Sequence, residues 1–319
     1  MSFVDTLIKQ GGLQLLKRYA NSGALFTALV EFLILGKNKK ALEILRLSAD
    51  YKTKIKLEKK YAKQLEKFSV KYDNNCLHTQ SNKVWVCWFQ GMDEAPELVR
   101  KCYESLQINL KGREIILITS ENISDYVKFP DYIIKKWDQG IITHTHMTDL
   151  LRLELLITYG GTWIDSTVLC TCDAEKIPKY FFDSDLFFYQ TLKPGRDGQA
   201  TVLSSWYMSA STNNKILMAT RYLCYEYWRK NNDMIDYFLL HDFFQIALEY
   251  YEEDWHAVVP VCNSTPHILL LRLFDKYDEK LFKYITEQTP FHKLSYKFSE
   301  EQKKMDDTYY KHLIGQGVY

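Results

Sequence analysis

Apolar residues fall into two regimes along the chain. Up to Phe68 they recur at helical spacing: Val4, Leu7 and Ile8 with Leu13, Leu15 and Leu16, then the run from Ala24 to Leu35, then a longer stretch from Ala41 to Phe68 with Lys-rich faces. Asp73-Asn74-Asn75 and Gln80-Ser81-Asn82 mark a linker. Beyond it, Val84 to Phe89 is a continuous apolar run of the kind buried on both faces of a sheet. A helix over 96–110, a strand over 115–119 and a short helix over 132–137 follow, and this alternation predicts an α/β fold with a mainly parallel sheet and right-handed crossovers. Strands are expected over 186–190 and 201–210, on either side of the turn-rich loop Lys193 to Gly198. Helices are expected over 214–229 and 235–251. The pattern divides the chain into a helical region, 1–78, and an α/β domain, 79–319.

The stretch that organises the rest is THMTDLLRLELLITYGGTWIDSTV, from Thr145 to Val168. Good helix formers run to Tyr159, Gly160-Gly161 stops them, and Thr162-Trp163-Ile164 suits a strand that ends on Asp165. Asp149 and Arg152 lie three apart and share a helix face. With Asp165 they can converge at one sheet edge, where open α/β sheets place ligands. Taken singly, each has a plainer explanation: a solvated ion pair on a helix, and a turn residue after a strand.

Asp149-Leu-Leu-Arg152 followed by Gly160-Gly161-Thr-Trp-Ile-Asp165-Ser-Thr167 resembles the D-x-x-R and G-G-x-[YW]-x-D-x-[DT] signature of sugar transferases with DXD motifs. These include glycosyltransferase family 32, the glucosylating clostridial toxins and the bacterial capsular polysaccharide synthesis proteins. The last group also carries a His-Lys-Leu-[ST]-[WY]-Lys motif, similar to His292-Lys293-Leu294-Ser295-Tyr296-Lys297 here.

The resemblance implies a GT-A, Rossmann-like fold behind an N-terminal helical appendage, a nucleotide-sugar donor, UDP-linked, and Mn2+ or Mg2+. It implies a hexosyltransferase that acts on an oligosaccharide or lipid-linked saccharide in capsular or cell-surface polysaccharide synthesis, with retention of anomeric configuration. On this reading Asp149 and Arg152 grip donor hydroxyls or ribose, and Trp88 and Gln90 open the first strand onto the nucleotide. Lys293 and Lys297 face the diphosphate, and His292 is a phosphate or metal contact. Asp165, Thr167 and His292 form the expected metal set, with Thr167 standing where many members have a second acid. Asp242, in an otherwise apolar and aromatic helix, is the candidate carboxylate on the acceptor side, against a plain surface role. Two other classes fit the same residues: a nucleotide-sugar hydrolase, and a noncatalytic sugar-binding protein with a degenerate DXD motif.

Composition narrows these readings. With 319 residues, 46% hydrophobic and 25% charged, the chain can bury a sizeable core. Aromatics reach 15%, which suits sugar stacking as well as packing. The seven cysteines include no C-x-x-C pair, which favours reduced thiols in a cytoplasmic protein. The N-terminus has no signal-peptide pattern, and no apolar run approaches the roughly 20 residues of a membrane helix. Charge is uneven: residues 1–75 hold 15 Lys and Arg against 7 Asp and Glu, although the whole chain is only +1. That basic segment, with its apolar 24–35 run, suits peripheral contact with the inner face of an anionic membrane, or else packing on the domain or a second subunit. No nucleic-acid module is recognisable.

Overall fold

The computed structural model describes residues 12–69, 77–192 and 200–315. The expected contributions of Val4, Leu7 and Ile8, the Asp73-Asn74-Asn75 linker and the Lys193 to Gly198 loop lie outside the described residues.

The chain opens with α1 (Gly12–Ser22), α2 (Leu25–Leu35) and the 31-residue α3 (Lys39–Ser69). Then come β1 (Lys83–Cys87), α4 (Glu97–Asn109), β2 (Glu114–Ile118), α5 (His144–Tyr159), β3 (Gly161–Ile164) and β4 (Val168–Cys170). The second half holds β5 (Leu186–Gln190), β6 (Leu203–Ala210), α6 (Lys215–Lys230), α7 (Leu239–Tyr250), β7 (Val261–Cys262) and β8 (Phe291–Lys293). Shorter helices fill several connections, among them Asp131–Asp138 where 132–137 is expected.

Six strands form the central sheet in the order β2-β1-β3-β6-β5-β7. β1 pairs parallel to β2 and to β3, and β5 is parallel to β7. β6 runs antiparallel to both β3 and β5, so the sheet is mostly parallel, as expected, with one strand reversed at its centre. β1 is buried from Val84 to Cys87, as its unbroken apolar run requires. β4 and β8 make a separate antiparallel pair that brings Val168 opposite Lys293.

One glycine decides the entry into β3. A Cβ at Gly161 would stand 2.4 Å from the Lys83 carbonyl oxygen, and its φ of +91° is one that side chains rarely adopt. Only glycine lets β3 approach β1 so closely, and this sets where Asp165 emerges.

The N-terminal helices are not a detached appendage. Leu57, Tyr61 and Leu65 of α3 are buried in the same hydrophobic cluster as Trp163, Trp228 and Phe243, and Lys54 reaches across to Glu249 of α7 at 2.6 Å. The Lys-rich face of α3 points outward while its apolar stripe completes the core. Helix α2 differs: Phe26, Leu33 and Ile34 are about three-quarters exposed, and only Ala28 is buried. Among the described residues no helix is long and apolar enough to cross a membrane.

Candidate active site

β1 and β3 run parallel and end side by side, so the residues just past them share one edge of the sheet. A cleft of about 390 Å³ lies there, lined by Trp88 and Gln90 after β1, Thr145, Thr148 and Arg152 of α5, Trp163 of β3, and Asp165, Thr167, Lys293 and Tyr296. Both faces of the predicted motif thus meet in a crevice at carboxyl ends of strands.

α5 fixes the inner wall. Its N-cap Thr143 accepts a hydrogen bond from the His146 N–H, and the helix stops at Gly160 as the sequence implies. Asp149 and Arg152 are both buried, and their side chains meet at 3.3 Å. Asp149 has a second anchor: His146 Nδ1 lies 3.3 Å from its other oxygen. The indole N–H of Trp228 donates to His146 Nε2 at 2.8 Å. An indole N–H can only donate, so Nε2 is the acceptor and the proton sits on Nδ1, facing Asp149. Trp228, His146 and Asp149 therefore orient Arg152 from behind. The guanidinium also donates to the Ser205 carbonyl at 2.7 Å and stands 5.0 Å from the Trp163 ring centre. Placing His146 three residues before Asp149 is legible as a helix-face spacing; its bond to Trp228 is not.

Asp165 stands at the tip of β3, with its N–H still bonded to the Trp206 carbonyl. Its carboxylate accepts from Trp163 Nε1 at 2.9 Å and Lys293 Nζ at 2.7 Å, and Arg152 is 3.6 Å away. Burial alone would raise this carboxyl, but the charges of Lys293 and Arg152, with the bonds from Lys293 and Trp163, outweigh it and hold Asp165 below the ordinary carboxylate value. It is ionised at neutral pH. Lys293 donates equally to the Thr167 hydroxyl at 2.7 Å.

Two buried N–H donors of residues that line this cleft have no partner among the described residues: Trp88 Nε1 and Arg152 Nε. Buried donors left unpaired are costly, and polar ligands commonly satisfy them. Tyr296 meets Trp88 edge to face at 5.4 Å and closes the rim.

Asp149, Arg152, Asp165, Thr167, Lys293, Trp88 and Gln90 are thus brought together. His292 and Asp242 are not. His292 is fully buried and bonds to the Thr171 hydroxyl at 3.1 Å, because alternation along β8 sends it to the face opposite Lys293. Burial pushes its imidazole down to about 4. Asp242 is buried in α7, away from the cleft, and burial with the charges of Asp236 and Asp50 pushes its carboxyl well above the usual range. Neither supplies a ligand or an acceptor-side carboxylate. Lys297 is exposed beside Tyr296 and does not line the cleft. Thr119 to Asn122, just past β2, close a local turn in which Asn122 accepts from the Thr119 N–H.

The three residues of the expected metal set are not brought to one point. Hard divalent cations take several oxygen ligands. Here Asp165 is the one carboxylate of the triplet, it already accepts from Lys293 and Trp163, Thr167 is held by the same ammonium, and His292 faces elsewhere. Among the described residues no group of three or more His, Cys, Asp or Glu could hold a metal ion.

Comparison with known proteins gives three findings. The O-glycosyltransferase PaGT of Phomopsis amygdali is 22% identical over 146 residues, which cover 41% of this chain and about a third (35%) of that protein's length. The PaToxG glycosyltransferase structure matches over 86% of this chain and 98% of its own, at 13% identity and a TM-score of 0.38. The family profile described as capsular polysaccharide synthesis protein matches residues 36–313. That span takes in α3, the whole sheet, the Asp149-to-Thr167 wall and Lys293, and on it the chain belongs to the capsular polysaccharide synthesis protein family.

Proposed function

We propose that this protein is a glycosyltransferase of GT-A arrangement that moves a hexose from a UDP-linked donor to a saccharide acceptor in capsular or other cell-surface polysaccharide assembly. The observation that carries the reading is the cleft's donor inventory. Arg152 and Lys293, each fixed by a carboxylate, converge beside aromatic walls at the ends of parallel strands. A nucleotide diphosphate sugar presents the matching chemistry: anionic oxygens, ribose and sugar hydroxyls, and flat or apolar faces.

In the transfer, the bond between the anomeric carbon and the diphosphate oxygen breaks, and its electron pair stays on that oxygen. A bond forms from the acceptor hydroxyl oxygen to the same carbon. With retention, the hydroxyl proton passes to the departing diphosphate. Arg152 and Lys293 stabilise the growing charge, Asp149 holds Arg152 from behind, Asp165 holds Lys293 and accepts from hydroxyls, and Trp163 walls the cationic centre from water.

Helix α2 suggests where the acceptor is met. Exposed Phe26, Leu33 and Ile34, followed by Lys37, Lys39 and Lys40, fit an anionic bilayer surface that would carry a lipid-linked saccharide on its cytoplasmic side.

The test is nucleotide release from a panel of UDP- and GDP-sugars by wild type and Asp165→Ala. Release from one donor, lost in the variant and coupled to a glycoside product, supports the proposal. Free sugar as sole product would make the protein a hydrolase, and donor binding without turnover a noncatalytic module.

A further inference from the structure

We infer that the Lys293 ammonium takes the place of the divalent cation in this site, so that the nucleotide diphosphate binds without metal. The inference rests on the nucleotide-sugar reading above and concerns how its diphosphate is held.

In the motif, the first and third positions are the ones expected to share a cation. Here they are Asp165 and Thr167, and the point where their oxygens converge is filled by Lys293 Nζ, 2.7 Å from each. These are distances of charge-assisted hydrogen bonds, longer than the roughly 2.0–2.6 Å of magnesium or calcium to oxygen. The replacement is chemically consistent at both ends. A second carboxylate at position 167 would add a negative charge that a single ammonium could not balance, whereas a threonine hydroxyl accepts one N–H and leaves the pair Asp165–Lys293 neutral.

The ammonium is held to point inward. β8 pairs with β4 so that Lys293 lies opposite Val168, and the Leu294 N–H bonds to the Thr167 carbonyl at 2.9 Å, locking the strand end beside the motif. Two of the three ammonium donors are engaged by Asp165 and Thr167; the third is available to the cleft that Lys293 lines. Arg152, 3.6 Å from Asp165, supplies a second fixed positive group. Together they offer N–H donors to diphosphate oxygens where a metal would offer coordination.

The test is calorimetric binding of UDP to the full chain, with EDTA and with Mn2+. The inference expects affinities within about twofold of each other in the two conditions. Lys293→Met should weaken UDP at least about tenfold in either condition, and Lys293→Arg should recover part of that loss, on the scale of removing and restoring one charge-assisted contact. The double variant Thr167→Asp with Lys293→Met should acquire binding that EDTA abolishes. Thermal unfolding of each variant separates lost affinity from lost fold. Wild-type binding that vanishes in EDTA and returns with Mn2+ would overturn the inference and leave the transferase proposal standing. No UDP or GDP binding in either condition would overturn the nucleotide-sugar reading, and this inference with it.

Discussion

Replacing Asp149 and Asp165 by alanine, one at a time, should damage the protein in different ways. The Asp149 side chain is 8% exposed and ties down an Arg152 that is 5% exposed. Removing one partner of such a buried pair costs about 3–5 kcal/mol, because the remaining charge is left in a poorly solvated place. Arg152 would still have the Ser205 carbonyl at 2.7 Å and Asp165 at 3.6 Å, so the lower end, about 3 kcal/mol, applies. At about 2 °C per kcal/mol for a chain of this size, Asp149→Ala should lower Tm by about 6 °C. The Asp165–Lys293 pair is 27% and 20% exposed, where water compensates most of the loss, so Asp165→Ala should cost about 1 kcal/mol or less.

Turnover should not follow this ordering. Asp165→Ala frees Lys293 and removes one partner of Arg152 at the point of charge development, and should reduce transfer by at least about 100-fold. Asp149→Ala lets Arg152 drift and should lose a comparable factor. Scanning calorimetry and nucleotide release on the same preparations measure both quantities. Equal Tm losses in the two variants would refute the buried-anchor argument. Near-normal turnover by both would refute the site.

Three further outcomes are expected. Burial, with the charge of Asp236 and against that of Arg46, pushes the Asp50 carboxyl up to about 7; the folded state therefore holds a proton that the unfolded chain releases near pH 4, and the associated stability is full below that value and lost as pH rises through 7. Asp50→Asn should gain on wild type by about 2 kcal/mol between pH 5 and pH 8 in urea unfolding, and an increment independent of pH would contradict this. Gly161→Ala should cost more than about 3 kcal/mol and lower soluble yield, whereas Gly112→Ala, with a similar φ of +86° but open space, should cost about 1 kcal/mol; equal Tm values would show that the close approach to Lys83 is unimportant. The triple change Phe26→Ser, Leu33→Ser and Ile34→Ser should abolish cosedimentation with phosphatidylglycerol vesicles without lowering Tm, since all three side chains are already exposed; unchanged recovery would remove the membrane contact.

What the sequence discloses is mostly local. The α5 helix, its glycine stop, the short β3 and the carboxylate at its tip follow from period and turn chemistry, and β1 from its unbroken apolar run. The direction of β6 is not local: its residues are those of a buried strand whichever way it runs, and only its pairing with β3 makes it antiparallel. The fates of His292 and Lys293 turn on a single step of alternation, and the face that becomes buried depends on β4, far away in the chain. Asp242 stood out as a charge among apolar residues, but the same apolar surroundings that made it conspicuous bury it. Lys-rich α3 reads as a helix that meets a membrane, the domain or a second subunit, and the cover of Leu57 and Tyr61 by the α/β core decides for the domain.

That last arrangement bears on how the enzyme would be mounted. Only Gly36 to Asn38 separate α2 from α3, and α3 is a rod of about 46 Å whose far half is part of the core. A surface that grips α2 therefore grips the α/β unit through a strut instead of a tether. The cleft would ride at a set height and tilt, and the reach required of an acceptor would be decided by helix geometry.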